Sequence, residues 1–298
     1  MAMNRSNWPK DLELGLNAHF GMAYKEKPDE WTAYMDIENS SKAFEEDVLE
    51  VGFGNAVVKP EGGEFTLDEG GQGWTARYHH NTIGLAFAMT QEALEDNLYG
   101  SLSAKYAKAL ARSLKNAKEI RCANLLNYAT TGTHKGGDGV SLLSETHPLY
   151  NGGTASNTLS TSSDLTESAL EDILVSIANC VDDRGIPIGL RAVKLVIPPQ
   201  LQFVAKRILG SDKQSGTANN DINAVKHVFN NEPAIVTRLS DTSAWFVKTD
   251  APDGLKLFQR KKITRGTTED YKTGNMIYMA HERYSEGWTD WRAIFGSM

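Results

Sequence analysis

The sequence predicts a mixed α+β fold: an N-terminal arm, an extended β-hairpin loop, one long helix and a compact α/β region. Three observations carry that expectation. Glycines punctuate short β-leaning runs over residues 51–85, leucines recur at helical spacing over 90–129, and helices alternate with strands over 165–255.

Composition narrows the field. A chain of 298 residues can bury roughly three quarters of its unfolded surface, so it needs no disulfide or metal staples. It is 40% hydrophobic and 23% charged, an ordinary globular balance. Its net charge of −7 argues against tight, sequence-independent nucleic-acid binding, which relies on many Lys/Arg–phosphate contacts. The two cysteines, Cys122 and Cys180, each sit in a helix-like pattern among apolar neighbours and read as buried thiols in helices. The first residues, "MAMNRSNWPKDLELGL", lack the apolar stretch of a signal peptide. Nowhere does the sequence approach the roughly 18 consecutive apolar residues of a membrane span.

The elements follow in chain order. Residues 1–49 are polar, with Trp8 and Trp31 isolated among charges, and "SSKAFEEDVLEVGFG" at 40–54 is acidic and weakly periodic. A segment with so few apolar anchors is expected to cross a surface rather than build a core. Next, glycines separate "NAVVK", "EFTLDE" and "GWTARYHHNTIG", three short β-leaning runs of one hairpin. A hairpin so thin has no bulk to bury its own Phe65, Trp74 and Tyr78, so these side chains need a partner surface.

Thr90 is placed as the N-cap of a helix over 90–129, with Glu92, Glu95 and Asp96 near the positive end of its dipole. Leu94, Leu98, Leu102, Tyr106, Leu110 and Leu114 recur every four residues, followed by Ala117 and Ile120. Unbroken, this helix would run about 60 Å at 1.5 Å per residue, with Gly100 a candidate bend. A Gly/Ser/Thr-rich excursion fills 132–163. A second helix then starts at the Thr166 cap, stapled by Leu165 and Leu170. Ile173, Leu174, Ile177 and Val181 continue its stripe, and Gly185 ends it. "AVKLVIPP" is a buried-type strand feeding the proline-started helix "PQLQFVAKRILG", and "AIVTRL" and "AWFVKT" are further strands. From 255 onward the chain is strand-rich and is expected to return to earlier elements.

Candidate chemistry is sparse. His79 and His80 in "QGWTARYHH" are adjacent, so on a strand they point to opposite faces and cannot easily chelate one ion. No H-E-x-x-H spacing exists, and the other histidines (19, 134, 147, 227 and 281) are scattered. A metal-assisted hydrolase using His79 or His80 with His147 is the weak alternative; a ligand-binding module using the 72–80 loop is a third reading. "GTHKGGDG" (132–139) lacks the order of a phosphate loop and reads as a flexible connector. Asp182 and Asp183 read as solvated turn residues, and "QRKKITR" (259–265) as a solvated strand edge. No catalytic, cofactor-binding or metal-ligating set is assigned, which favours a structural role.

Several strings are more specific than these patterns. They are "GWTARYHHNTIGLAFAMTQEALEDNLYG", "LLSETHPL" (142–149), "DDRGIPIGLRAVKLVIPPQL" (182–201), "SGTANNDINAVK" (215–226), "AWFVKTDAPDGLKLFQRK" (244–261) and "ERYSEGWTDWRAIFGS" (282–297). From about residue 45 to the end the chain resembles a tailed-bacteriophage major capsid protein of the Hong Kong ninety-seven fold, in the Mu-like head-subunit branch. The resemblance implies an N-terminal arm at 1–49 and, at 50–89, an extended loop that overlaps a neighbouring subunit. It implies a peripheral domain from 90–164 and 256–298 built on the spine helix, and an axial domain at 165–255. It further implies hexamers and pentamers closing an icosahedral shell around double-stranded DNA. Such a virion subunit is made and assembled in the bacterial host cytoplasm, without membrane attachment.

The candidate inter-subunit contacts are Phe65, Trp74, Arg77, Tyr78 and His80. Of the two faces of the strand, the side carrying Trp74, Ala76, Tyr78 and His80 is expected to meet the neighbour. Portal, scaffolding and decoration proteins are possible further partners of such a shell. The chain leaves no room for a leading scaffolding segment, so a separate scaffolding protein, or none, is expected. Lys59 lies in the loop, but nothing local supports isopeptide cross-linking there.

Overall fold

A computed structural model describes residues 8–90, 100–213, 222–229 and 232–298. Two four-stranded sheets, each packed by helices, organise the chain. The first sheet has the order β1 (Asp36–Asn39), β10 (Leu255–Glu269), β11 (Met276–Trp288), β4 (Asn81–Met89). Strands β10, β11 and β4 run antiparallel, while β1 adds to β10 in parallel. The last long strands therefore do return to earlier elements, pairing with segments more than 180 residues upstream.

Helices α1 (Trp8–Tyr24) and α2 (Gly100–Asn127) cover one face of this sheet. Leu16, Phe20 and Ala23 of α1 and Ala107, Leu110, Ala111 and Leu114 of α2 pack on Met89, Met276, Tyr278 and Ala280. The arm is thus helical and anchored over much of its length, because Leu16, Phe20 and Ala23 recur at spacings that share one helix face. Trp31, Tyr34 and Met35 are buried as well, against Cys122, Leu126 and Tyr284.

The long helix is described from Gly100 to Asn127. Its 28 residues span about 42 Å at 1.5 Å each, and Gly100 is its first described residue. The N-terminal turn assigned to Glu92, Glu95 and Asp96, with Leu94 and Leu98, lies outside the described residues. The expected spacing of four is buried at Leu110 and Leu114 and continues through Lys118, Cys122 and Leu126. Ala107, Leu110, Leu114, Lys118, Cys122, Leu125 and Leu126 are buried, while Tyr106 and Ile120 remain largely exposed.

The second sheet has the order β12 (Ile294–Ser297), β9 (Trp245–Thr249), β7 (Ala192–Ile197), β8 (Ala234–Ile235). Helices α3 (Glu167–Ala178) and α4 (Gln202–Gly210) flank it, burying Leu170, Ile173, Ile177 and Ala205 against Leu195, Ile197, Trp245 and Val247. Thr166 caps α3 as expected, its hydroxyl accepting from the Ala169 amide at 3.1 Å. Leu165 and Leu170 are both buried in that core. The helix ends at Ala178, well before Gly185, so Cys180 lies just outside it. Gly185 instead takes a positive φ in the following turn. The final strand β12 belongs to this sheet rather than to the one built on the spine helix.

Candidate functional site

The hairpin comprises β2 (Phe44–Val51) and β3 (Gly71–His79), antiparallel, with Phe44 opposite His79 and Glu46 opposite Arg77. Residues 52–70 between them form no regular strand, so "NAVVK" and "EFTLDE" do not extend the ladder. Glycines at both ends and in the middle of this tip weaken pairing by removing side-chain contacts across it.

Strand alternation holds, and it sets His79 exposed and His80 buried. The aromatic face, however, turns inward. Tyr78 is only 3% exposed; its ring lies 4.7 Å from Phe258, and its hydroxyl hydrogen-bonds the Thr289 hydroxyl. Gly287 permits this contact, since a Cβ there would stand 2.7 Å from the Tyr78 ring. Trp74 is half-buried, and its Nε1 donates to the Thr289 carbonyl at 3.3 Å. Both ring nitrogens of His80 are engaged, Nε2 with Ser40 Oγ at 2.9 Å and Nδ1 with Ser285 Oγ at 3.0 Å. Burial and the nearby Arg283 guanidinium push its pKa down and favour the neutral ring.

Tyr78 and His80 therefore serve this chain's own packing and offer no free surface to a neighbour. The sequence showed which residues share a face, but Phe258, Ser285 and Thr289, which cover that face, lie about 180 or more positions away. Arg77 and Phe65 are exposed instead. Arg77 pairs with Glu46 across the hairpin and lies 4.8 Å from the Phe44 ring.

The tip is where apolar surface accumulates. Val58 and Leu67 are more than 90% exposed, and Phe65 is 77% exposed. Phe53 and Val57 are open too. Lys59 Nζ stands 4.4 Å from the Phe65 ring centre. Asp68 ties the tip's two sides together, accepting from the Gly54 amide at 2.6 Å, and it also meets Arg184 at 3.3 Å. The Gly54 amide, more than Arg184, holds its carboxyl below the usual range. Exposed large apolar residues grouped on one projection mark a surface built to be covered.

The glycine connector is not loose. A Cβ on Gly137 would stand 2.8 Å from Trp74 Cδ1 and 3.0 Å from the Thr75 carbonyl oxygen, so glycine lets this loop press against β3. From the same loop, Asp138 reaches His147 Nδ1 at 2.6 Å. His147 Nε2 meets Asn157 Oδ1 at 3.2 Å, and the ring stacks on Trp291 at 4.4 Å. With the ring nitrogens of His80 and His147 engaged by neighbours, neither is free to ligate. Among the described residues no three His, Cys, Asp or Glu side chains gather to hold a metal. Nothing supports the hydrolase.

Sequence reasoning also missed a buried ion cluster. Arg292 is buried, with Asp183 and Asp290 each 3.3 Å away. Asp182 is the turn residue, accepting from the Arg184 and Ile186 amides, whereas Asp183 faces the interior. Burial pushes the Asp290 carboxyl up, against the pull of Arg292. Only the pairing of two lone charges, over a hundred positions apart, distinguishes Asp183 from a solvated turn residue.

Two helix-backed sheets with a projecting, self-uncovered hairpin define a shell subunit of the phage capsid fold. Residues 75–296 match the phage capsid protein family, and the chain belongs to that family: it is a major capsid protein, with a structural role. Similar solved structures include the capsid of a native GTA particle, at TM-score 0.58 and 11% identity, covering 91% of this chain and 90% of that one. The procapsid of bacteriophage JBD30 aligns at TM-score 0.55 and 12% identity, covering 99% and 76%. A virus-like particle from Pyrococcus furiosus aligns at TM-score 0.52 and 14% identity, covering 95% and 98%. No curated protein matches the chain. At such identities the structural likenesses speak for the fold alone.

Proposed function

We propose that this capsid protein assembles into hexamers and pentamers that close an icosahedral head around double-stranded DNA, as a member of the Mu-like branch. The observation that carries this reading is the tip at 52–70, whose Phe53, Val58, Phe65 and Leu67 are exposed on the isolated chain. Interfaces with apolar cores and many modest contacts, repeated around a closed shell, give collective stability. Phe65 and Arg77 remain the contact candidates, with Trp74 reached only at its open edge.

In this reading the hairpin is the overlapping loop, the first sheet with α2 is the peripheral domain, and the second sheet with α3 and α4 is the axial domain. Two boundaries move in this reading: β4, expected within the loop at 50–89, pairs with β11 in the first sheet, and β12, expected in the peripheral domain, pairs with β9 in the second. Portal, scaffolding and decoration proteins are the further partners, and assembly takes place in the bacterial cytoplasm. Light scattering and negative-stain microscopy test the proposal. Closed particles of uniform size are expected under assembly conditions; persistent monomers, alone and with phage head partners, would overturn it.

A further inference from the structure

Helices α1 and α2 occupy the face of the first sheet carrying Met276, Tyr278 and Ala280. The hairpin root meets the opposite face: Tyr78 packs on Phe258, which pairs with Ser285, the strand neighbour of the helix-side Tyr284. The outward side of the helix pair is therefore a surface that the hairpin root leaves free. Its local charge is opposite in sign to the chain's net charge of −7.

The cations on it form a row. Lys105, Lys108, Arg112 and Lys115 recur at intervals of three and four residues, so they share one face of α2 and extend over about 15 Å at 1.5 Å per residue. Lys25 and Lys27, just past the end of α1, adjoin this row. Between and beyond them, Glu26 meets Arg112 at 2.8 Å and Asp29 meets Lys115 at 2.9 Å. Arg112 above all, with help from Lys27 and Lys108, holds the Glu26 carboxyl below its usual range. Six cations thus share the surface with two carboxylates. Lys25, Lys27, Lys105 and Lys108 form no ion pair among the described residues. The carboxylate of α2 itself, Glu119, is buried and accepts from the Glu30 and Trp31 amides at 2.8 and 3.2 Å, so it does not neutralise the row.

Like charges three and four residues apart destabilise a helix, and an anionic strand laid along the row would relieve that repulsion. The exposed residues beside the row are Ala109, Ser113 and Asn116. They lack the aromatic and branched anchors on which a protein partner packs, yet they are short enough to let a phosphate chain come close. Duplex DNA carries one charge per about 1.7 Å of its axis, so a row of about 15 Å faces several phosphates wherever it lands, whatever the base sequence.

We propose that the outward surface of α1 and α2, centred on Lys25, Lys27, Lys105 and Lys108, holds the phosphate backbone of double-stranded DNA and forms the subunit's contact with the packaged genome. This deepens the capsid reading and rests on it, by naming the surface that meets the DNA. The contact is weak for one subunit in an acidic chain and gains strength by repetition around a shell. Because it works by releasing counterions from the duplex, it is steeply sensitive to salt.

Binding of a short labelled duplex to full-length subunits, held below their assembly concentration, tests it by fluorescence anisotropy across a salt series. Wild-type affinity is expected to fall about a hundredfold or more between 50 and 200 mM salt. Lys25→Gln/Lys27→Gln/Lys105→Gln/Lys108→Gln, which leaves the Arg112 and Lys115 ion pairs in place, is expected to keep its circular dichroism and bind at least tenfold more weakly at low salt. Its slope of log affinity against log salt should be shallower by about three to four. Lys25→Gln/Lys27→Gln alone, outside both helices, guards against misfolding and should lose about half of that slope. Lys261→Gln/Lys262→Gln removes two exposed charges from β10 and is expected to leave duplex binding unchanged. A four-lysine variant that binds like wild type overturns the proposal, and so does an equal loss in the β10 variant, which would make net charge the cause. Wild-type subunits that ignore the duplex but bind polyglutamate overturn it as well, and reassign the row to an acidic protein. Subunits that bind the duplex through these lysines yet never form particles would instead overturn the assembly reading, and with it the packaged genome as the ligand.

Discussion

Tyr78 separates packing within the subunit from contact between subunits. Replacing it by alanine removes a ring that is 3% exposed, packed at a tilt with its centre 4.7 Å from that of Phe258 and bonded to Thr289. A buried aromatic truncated to alanine costs about 3–5 kcal/mol, of which the ring pair accounts for about 0.5–1.5. For a chain this long that corresponds to a drop in Tm of roughly 5–8 °C. Tyr78→Phe keeps the ring and loses one hydrogen bond, about 1 kcal/mol or less, since Thr289 retains Asp47 as acceptor at 3.1 Å. The assay is thermal unfolding of subunits held below their assembly concentration. A Tyr78→Ala subunit as stable as wild type, yet unable to assemble, would refute the inward placement and return Tyr78 to the interface.

Other expectations follow from the same geometry. Phe65→Ser, at an exposed tip position, is expected to change subunit stability by less than about 0.5 kcal/mol while lowering particle yield, read by unfolding and by light scattering. Asn157 is fully buried and bonds the Leu142 and Ile294 carbonyls and the Ser144 amide. Asn157→Ala leaves three buried backbone groups unpaired, so denaturant unfolding should show a loss of at least about 3 kcal/mol. Because His80 is harder to protonate folded than unfolded, its contribution is intact above its ordinary value of 6.5. That contribution is lost as pH falls below 6.5 towards the folded value. His80→Gln should therefore flatten part of the stability loss between pH 7.5 and 5.5, measured by denaturant midpoints.

The legible parts of the sequence were those whose causes are local. Thr166 capping α3, Leu165 against Leu170, and the alternation that separates His79 from His80 all depend on neighbours within a few residues. The helical arm was missed because Leu16, Phe20 and Ala23 make a narrow stripe in a polar segment, and only α2 and the sheet explain it. Trp31 looked stranded among charges, yet its partners Leu126, Cys122 and Tyr284 come from far along the chain. Asp183 and Arg292 could not be matched by spacing, since their separation carries no periodic signal. The tip at 52–70 was legible as exposed, because nothing in its own sequence can cover Val58, Phe65 and Leu67.

The central claim is that this hairpin tip is covered by another copy of the chain. A cryo-electron microscopy map of assembled wild-type particles tests it most directly, by tracing residues 52–70 from each subunit. The account predicts closed shells in which Phe65 and Leu67 are buried against an adjacent subunit. Shells whose tips stay solvent-exposed, or fold back onto their own subunit, would contradict it.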